Sequence, residues 1–283
     1  MSIEPPVVRP ATLTEAFELM AGGSYRPLAG GTDLMVRLEA DVVDPPAAVL
    51  DLWRLGELRG VGYDGYDVSI GALTTWTELR HSPVIRARLP ALSEAAATIG
   101  AAQIQNRGTI GGNICNASPA GDSLPVLLAV DATFDVGSTA GQRSIPAREF
   151  WTGYRQTALR PDELLLRVRF PVERGRRTRF RKVGGRAAQA ISKVVMALSY
   201  RDDGPTWTEV RLAVGSVAPT PIRARQTEAV LEGAAPREAV ADEAAAVLAE
   251  EIAPIDDVRS TAAYRRSVSG RVLHRLLREE GGW

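Results

Sequence analysis

The sequence predicts an α+β protein built from two domains. Three observations lead to this fold class: a length of 283 residues, helical and extended patterns that alternate from the start, and an interruption of both patterns near residues 171–177. Domains commonly contain about 100–200 residues, so this chain is long enough for two cores. Hydrophobic residues make up 45% of the chain and charged residues 24%, as in an ordinary globular protein.

Elements of both kinds alternate in the first part of the chain. Apolar residues at helical spacing predict the helices, and short runs between turn residues predict the strands. The predicted helices cover residues 14–21, 75–80 and 89–99, and the predicted strands cover residues 26–28, 48–52, 67–71, 132–136 and 164–170.

The second part of the chain has a different pattern. Proline, glycine and charged residues at 171–177 interrupt the preceding apolar strand and predict a domain boundary. Runs rich in β-branched residues at 190–200 and 207–217, separated by the turn Asp202-Asp203-Gly204-Pro205, predict two antiparallel strands. Helical spacing predicts two helices at 238–252 and 260–280. We therefore expect a smaller C-terminal domain of antiparallel sheet and helices.

The composition argues against several classes of protein. The 34 basic and 34 acidic side chains balance, whereas a nucleic-acid-binding protein normally has a basic excess. Apolar runs are far shorter than the ~20 residues of a membrane-spanning helix, and residues 1–10 lack the pattern of a signal peptide, so we expect a cytoplasmic protein. A single cysteine, Cys115, excludes an internal disulfide and a four-cysteine iron–sulfur cluster, and two histidines argue against a histidine-built metal site.

The first glycine loop, residues 28–35, has the sequence Leu28-Ala29-Gly30-Gly31-Thr32-Asp33-Leu34-Met35. Glycine permits close approach of a ligand to the backbone, and successive amides in such a turn can surround an anion. Thr32 is a suitable N-cap for a helix with Leu34, Met35 and Leu38 on one face, and the positive end of that helix would favour a phosphate. Paired glycines are also common in ordinary turns, and this loop matches neither the Rossmann fingerprint nor the P-loop.

The second glycine loop, residues 106–122, combines several glycines with short hydrogen-bonding side chains. An exposed linker could have this composition. However, the loop lies between a predicted helix and the apolar run 124–130, so we expect it to pass along the core. Buried polar groups require partners, which a ligand bearing hydroxyls and phosphates would supply. Together the two loops indicate a nucleotide site.

These motifs, taken in order, resemble the FAD-binding subunit of molybdenum hydroxylases, the xanthine dehydrogenase and carbon monoxide dehydrogenase family. The resemblance covers nearly the whole chain. It rests on Ala29-Gly30-Gly31-Thr32-Asp33-Leu34, Thr109-Ile110-Gly111-Gly112-Asn113, Ala117-Ser118-Pro119 with Asp122, Gly153-Tyr154-Arg155, Pro161-Asp162-Glu163-Leu164-Leu165, Phe180-Arg181-Lys182, Asp256-Asp257-Val258-Arg259 and Tyr264-Arg265-Arg266.

The resemblance implies a two-subdomain FAD-binding fold of the vanillyl-alcohol oxidase type followed by a C-terminal flavoprotein domain. The expected bounds are 1–172 for the FAD-binding domain, with subdomains of about 1–55 and 56–172, and 173–283 for the C-terminal domain. The amides of the first glycine loop would hold the FAD diphosphate. The other implied cofactor-binding residues are Gly108, Thr109, Gly111, Gly112 and Asn113 in a second wall, Asp122 toward cofactor hydroxyls, and Leu165 against the flavin ring.

Lys182 matches a family lysine near the isoalloxazine ring. A cation there would favour reduced, anionic flavin, since reduction builds negative charge on the ring. The alternative is a solvated surface lysine. Ile99 stands where the family has an aromatic ring, which leaves ring stacking at that position open.

Three further residues with reactive side chains are expected to be structural. Cys115 is interpreted as a small apolar filler in the second glycine loop, with a redox thiol or a covalent flavin link as the alternatives. His81 is expected at the surface or near a helix end. His274, in an arginine-rich helix, is expected to be solvated.

The resemblance implies an electron-transfer flavoprotein without catalytic side chains of its own and without a metal. Its partners would be a small [2Fe–2S] subunit and a large molybdopterin subunit in a dimer of heterotrimers, with NAD or oxygen as the acceptor. Two alternatives are a non-redox nucleotide-binding or assembly module and a stand-alone flavin oxidase. The oxidase is disfavoured because no substrate-activating cluster of side chains is evident.

Overall fold

The computed structural model describes residues 5–40, 46–186, 189–202 and 204–283. Asp203, in the predicted turn between two strands, lies outside the described residues. The buried apolar side chains form three clusters, centred on the N-terminal segment, the middle of the chain and the C-terminal segment.

The N-terminal segment forms a parallel sheet in which the third strand lies between the first two. Ala16 and Leu50 are fully buried between the first helix and this sheet. Leu164 and Leu166, from a later strand, join the same cluster and attach this segment to the rest of the protein. The elements are β1 (Val7–Val8), α1 (Leu13–Gly22), β2 (Tyr25–Leu28), α2 (Leu34–Glu39) and β3 (Ala48–Asp51).

Helix α2 differs from its prediction at its start and on its apolar face. It begins at Leu34 with Asp33 as the N-cap residue, so Thr32 is not the cap. The positive φ of Gly31, 79°, turns the chain before the helix, and this delays its first turn. No residue of α2 is buried, and Met35 is 53% exposed, because the short helix lies at the surface and does not cover a core.

The middle of the chain forms a five-stranded antiparallel sheet with helices packed against it. The predicted helices and strands in this region are confirmed, with small shifts of their ends. The elements are β4 (Val61–Tyr63), β5 (Asp67–Gly71), α3 (Trp76–His81), α4 (Pro83–Arg88), α5 (Pro90–Thr98), α6 (Ala102–Arg107), α7 (Ile110–Asn116), α8 (Ser123–Ala129), β6 (Thr133–Ser138), β7 (Gly141–Pro146), α9 (Ala147–Phe150), β8 (Trp151–Gly153), β9 (Gln156–Thr157) and β10 (Leu164–Pro171).

The second glycine loop is more regular than predicted. Helix α7 occupies its centre, and the Thr109 hydroxyl caps that helix by accepting a hydrogen bond from the Gly112 amide at 3.1 Å. Ile110 and Ile114 are fully buried in the central cluster, which confirms that this segment passes along the core. The glycines hid the helix from a propensity argument, since glycine is unfavourable in helix interiors.

The C-terminal segment is a four-stranded antiparallel sheet followed by helices, and it contains the predicted pair of strands. Alternate residues of one strand serve two cores: Val195 faces the central cluster, whereas Val194 and Met196 face the C-terminal cluster. The sheet therefore lies between the central cluster and the final helices. The elements are β11 (Arg176–Val183), β12 (Val194–Arg201), β13 (Thr208–Gly215), β14 (Ile222–Arg223), α10 (Arg225–Leu231), α11 (Glu238–Glu251) and α12 (Ala262–Gly281).

None of the helices in the described ranges is both long enough and apolar enough to cross a bilayer.

Candidate cofactor cleft

A cleft of about 640 Å³ lies where the three parts of the chain meet. Its size falls within the roughly 300–1,000 Å³ that is usual for small-molecule sites. Both glycine loops line it, and Ile99, Leu165 and Ile191 add apolar surface from α5, β10 and the segment before β12. Met35, Asp122 and Lys182 are not among the lining residues, whereas residues 28–34, Gly108, Thr109, Gly111, Gly112 and Asn113 are.

The first glycine loop presents backbone donors without acceptors. Within the described part of the chain, the amides of residues 29–33 donate no hydrogen bond to backbone or side chain. The loop carbonyls are used, since Gly31 accepts from the Met35 amide at 3.0 Å and Asp33 accepts from the Arg37 amide at 3.1 Å. Buried backbone donors are nearly always paired. This run of half-buried amides at the cleft therefore fits a ligand that would cover it and is rich in acceptors, and a diphosphate is such a ligand.

The second glycine loop uses its amides inside the protein. The Ile110 amide donates to the Thr74 carbonyl at 3.0 Å, and the Gly111 amide donates to the Ala72 carbonyl at 2.8 Å. The Gly112 amide donates to the Thr109 hydroxyl. This wall therefore contributes shape and side chains to the cleft, while its main-chain donors hold α7 against the sheet.

The two glycine loops touch each other directly. A Cβ placed on Gly30 would lie 1.8 Å from the Arg107 carbonyl oxygen, so only glycine allows this approach. Trp53 supports the contact from the first subdomain. The guanidinium groups of Arg107 and Arg59 lie over its indole ring, at 3.7 Å and 4.1 Å from the ring centroid.

The carboxylates on the cleft wall have cationic partners. Asp33 lies 3.8 Å from the guanidinium of Arg155, which also donates to the Asn116 side chain at 2.6 Å. Glu163 accepts two hydrogen bonds from Arg143, both at 2.7 Å. This charge-assisted hydrogen bonding holds the pKa of Glu163 below its usual value. These hydrogen bonds hold the segment before Leu165 in place, and Arg143 neutralises the negative charge of Glu163.

Asp122 and Lys182 form a buried ion pair with each other. Their closest atoms, Nζ and Oδ2, are 2.6 Å apart, and the Lys182 side chain is only 11% exposed, so it is not a solvated surface lysine. Lys182 also donates to the Thr98 carbonyl at 3.2 Å, and Ser192 donates to the second oxygen of Asp122. Burial raises the pKa of Asp122, while Lys182 and the hydrogen bonds act in the opposite direction. The pair joins the start of α8 to β11; a direct contact of either residue with the cofactor stays a prediction.

The remaining reactive side chains have different surroundings. Burial raises the pKa of the Cys115 thiol to about 12, so it is protonated at neutral pH and is a poor nucleophile. His81 is exposed beside Arg86, as expected. His274 is half-buried instead of fully solvated: it packs edge-on against Trp283 at 5.3 Å and lies 3.4 Å from Asp242.

The sequence did not predict several of the lining residues, and Arg26, Arg37 and Ile191 are among them. Each of these three belongs to a predicted element, but only the folded chain brings it to the cleft. The available signal was position, because Arg26 precedes the first glycine loop by two residues and Arg37 follows it by two.

Comparison with known proteins agrees with this geometry. Residues 1–173 match the family described as the FAD binding domain in molybdopterin dehydrogenase, and residues 179–280 match the CO dehydrogenase flavoprotein C-terminal domain. The chain is 35% identical to the glyceraldehyde dehydrogenase medium chain of Sulfolobus acidocaldarius, over 92% of both chains. It is 34% identical to a putative xanthine dehydrogenase FAD-binding subunit of Escherichia coli, over 97% of this chain and 96% of the relative.

A solved structure has the same fold over its whole length. The matching chain of carbon monoxide dehydrogenase from Hydrogenophaga pseudoflava superimposes with a TM-score of 0.92 and 33% sequence identity. The alignment covers 96% of this chain and 95% of that one.

Proposed function

Because this chain belongs to the family of FAD-binding medium subunits of molybdopterin dehydrogenases, which are oxidoreductase subunits with FAD as cofactor, we propose that it relays electrons from a partner's iron–sulfur cluster to a soluble acceptor. The observation that carries the proposal is the cleft itself. It combines unpaired main-chain donors at one wall with apolar side chains at another, as a ligand with a charged diphosphate and a flat ring system requires.

The residues present fit FAD. When bound, FAD supplies the ability to accept electrons singly and deliver them as a pair, which no side chain of this protein provides. The amides of residues 29–33 would hold the diphosphate, as the resemblance implies. The contact between Gly30 and Arg107 would keep these amides at a fixed distance from the second wall.

The apolar part of the cleft would hold the flavin ring. Leu165 is buried on β10, and Ile99 and Ile191 line the same space, so ring atoms would be shielded from water. Ile99 offers packing without aromatic stacking. Lys182 would act on the flavin at most through its field, and Asp122 neutralises much of that field because the two charges are paired.

We place the partner subunits at the flavin end of the N-terminal domain. Electron transfer requires a short distance between the flavin and a cluster. This chain has one cysteine, so a four-cysteine cluster must lie on another chain. The proposed assembly is a dimer of heterotrimers containing a small [2Fe–2S] subunit and a large molybdopterin subunit.

The test is a complex from which only the flavin has been removed. Substrate added without oxygen should still reduce the iron–sulfur clusters, as seen by electron paramagnetic resonance. Reduction of NAD or oxygen should stop and return when FAD is added back. Supplying each acceptor separately identifies which one the flavin serves. The proposal fails if the flavin-free complex reduces its acceptor at the rate of the loaded complex.

A further inference from the structure

Arg37 is a cleft residue with an unpaired buried donor. It lies in α2, one helical turn beyond Asp33, and it lines the cleft. Its Nε atom is buried and has no hydrogen-bond partner within the described ranges of the chain. Across the described residues, no carboxylate forms an ion pair with its guanidinium group.

A buried donor without a partner is unfavourable, and native structures rarely keep one without a reason. The position of Arg37 supplies that reason. The residue follows the run of unpaired amides in the first glycine loop, so two independent kinds of donor face the same space. Neither set of donors has an acceptor among the residues that the structure describes.

The charges of the cleft identify the acceptor as an anion. The two lining carboxylates, Asp33 and Glu163, are matched by Arg155 and Arg143, which are not lining residues. Arg37 therefore contributes positive charge that nothing on the wall neutralises. The diphosphate is the part of FAD that carries formal negative charge at neutral pH.

We propose that Arg37 is a further cofactor-binding residue, whose guanidinium group donates to the FAD diphosphate beside the amides of the first glycine loop. This inference rests on the proposed flavin function. The glycine motif alone ascribes diphosphate binding to backbone amides, whereas this inference assigns part of that binding to the Arg37 side chain. Charge-assisted hydrogen bonds of this kind are among the stronger polar contacts.

The experiment compares three ligands on the flavin-free full-length chain. FAD and ADP carry the diphosphate, and riboflavin carries the ring without it. Flavin fluorescence measures FAD and riboflavin binding, and competition with FAD measures ADP binding. The variants are Arg37→Met, which removes the charge, and Arg37→Lys, which keeps it. The control is Arg54→Met, because Arg54 is an exposed arginine that does not line the cleft.

We expect Arg37→Met to weaken FAD and ADP by about tenfold or more and to leave riboflavin unchanged. Arg37→Lys should lie between Arg37→Met and the parent, and Arg54→Met should match the parent. Without ligand, Arg37→Met should melt no lower than the parent, because the unpaired donor is gone; a purely structural arginine would lower that melting temperature instead.

The inference is overturned if Arg37→Met binds FAD and ADP as the parent does, or if riboflavin is weakened as much as FAD. If Arg37→Met does not fold, Arg37→Lys decides, because unchanged FAD and ADP affinity together with a lower melting temperature would assign Arg37 a structural role. A parent chain that binds no FAD would refute the proposed function itself, which is a different result.

Discussion

The two glycine loops form opposite walls of one cleft, but they differ in the hydrogen bonding of their backbone amides. In the first loop the amides of residues 29–33 have no acceptor among the described residues. In the second loop the corresponding donors are bonded to Thr74, Ala72 and Thr109, and they hold a helix in place. Glycine is needed in both, but in the first loop it leaves the amides available to the proposed cofactor, whereas in the second it supports the fold.

Among the variants that test whether the second loop supports the fold, Lys182→Met should have the largest effect. Lys182 is the buried partner of Asp122, which lies at the end of that loop. Removing one member of a buried ion pair should lower the free energy of unfolding by about 3–5 kcal/mol. Burial already raises the pKa of Asp122, and loss of the cation should raise that pKa further. A carboxyl group whose folded pKa is raised stabilises the fold below its unfolded pKa and loses that contribution as pH rises.

The stability deficit of Lys182→Met should therefore grow as the pH rises above about 4, the usual pKa of an aspartate side chain. Urea unfolding of the flavin-free chain at several pH values measures it. The double variant Lys182→Met with Asp122→Asn should recover part of the loss and most of the pH dependence. A deficit that is equal at all pH values would contradict the assignment.

Gly111→Ala tests whether the second loop is structural. The new Cβ would lie 2.6 Å from the Ala72 carbonyl oxygen, a backbone atom, so α7 or the turn after β5 must move. We expect a loss of about 1–3 kcal/mol in the free energy of unfolding without flavin. Gly112→Ala is the control, since its nearest neighbour is the Thr109 hydroxyl at 3.0 Å. Equal stability of the two variants would argue against this role.

Gly31→Ala tests whether the first loop serves cofactor binding and not the stability of the fold. Gly31 has a φ of 79°, where an L side chain costs about 1–2 kcal/mol. Relieving that strain would turn the neighbouring amides, so FAD affinity should fall by about tenfold or more. Gly65→Ala carries similar strain at a φ of 101° outside the cleft. The Gly65→Ala variant should lose comparable stability and keep its FAD affinity, as measured by flavin fluorescence. An equal loss of FAD affinity in Gly31→Ala and Gly65→Ala would contradict the proposed difference between the two glycine loops.

Thr109→Ala should have the smallest effect. Loss of the cap should lower the free energy of unfolding by about 1 kcal/mol. Thr109→Ser keeps the hydroxyl and should retain most of the stability. FAD affinity should change little if this hydroxyl serves the helix. A large loss of FAD affinity with unchanged stability would instead support the cofactor contact implied by the resemblance.

Local sequence patterns predicted the elements but could not separate these two loops. Glycine pairs occur in both, and composition does not say where an amide points. The helix of the second loop was missed because Gly111 and Gly112 lower its propensity, while its stability comes from the buried Ile110 and Ile114. Tertiary packing decided that assignment.

Local sequence patterns also could not determine the partners of charged residues. Lys182 was considered either near the flavin or at the surface, and the structure pairs it with Asp122, which is distant in sequence. Arg37 belonged to a predicted helix but carried no motif. Its significance depends on the direction of one side chain and on the lack of a described partner, and neither is encoded in local spacing.

The contact between Gly30 and Arg107 also bears on the order of events during synthesis. The ribosome releases the first loop long before the second, and Leu165 and Ile191 of the cleft wall emerge later still. A nascent chain that ends before them exposes the donors of the first loop but has no enclosed place for a flavin ring. We therefore expect the cofactor to bind late in maturation, after the sheet that carries β12 has packed against the N-terminal part of the chain.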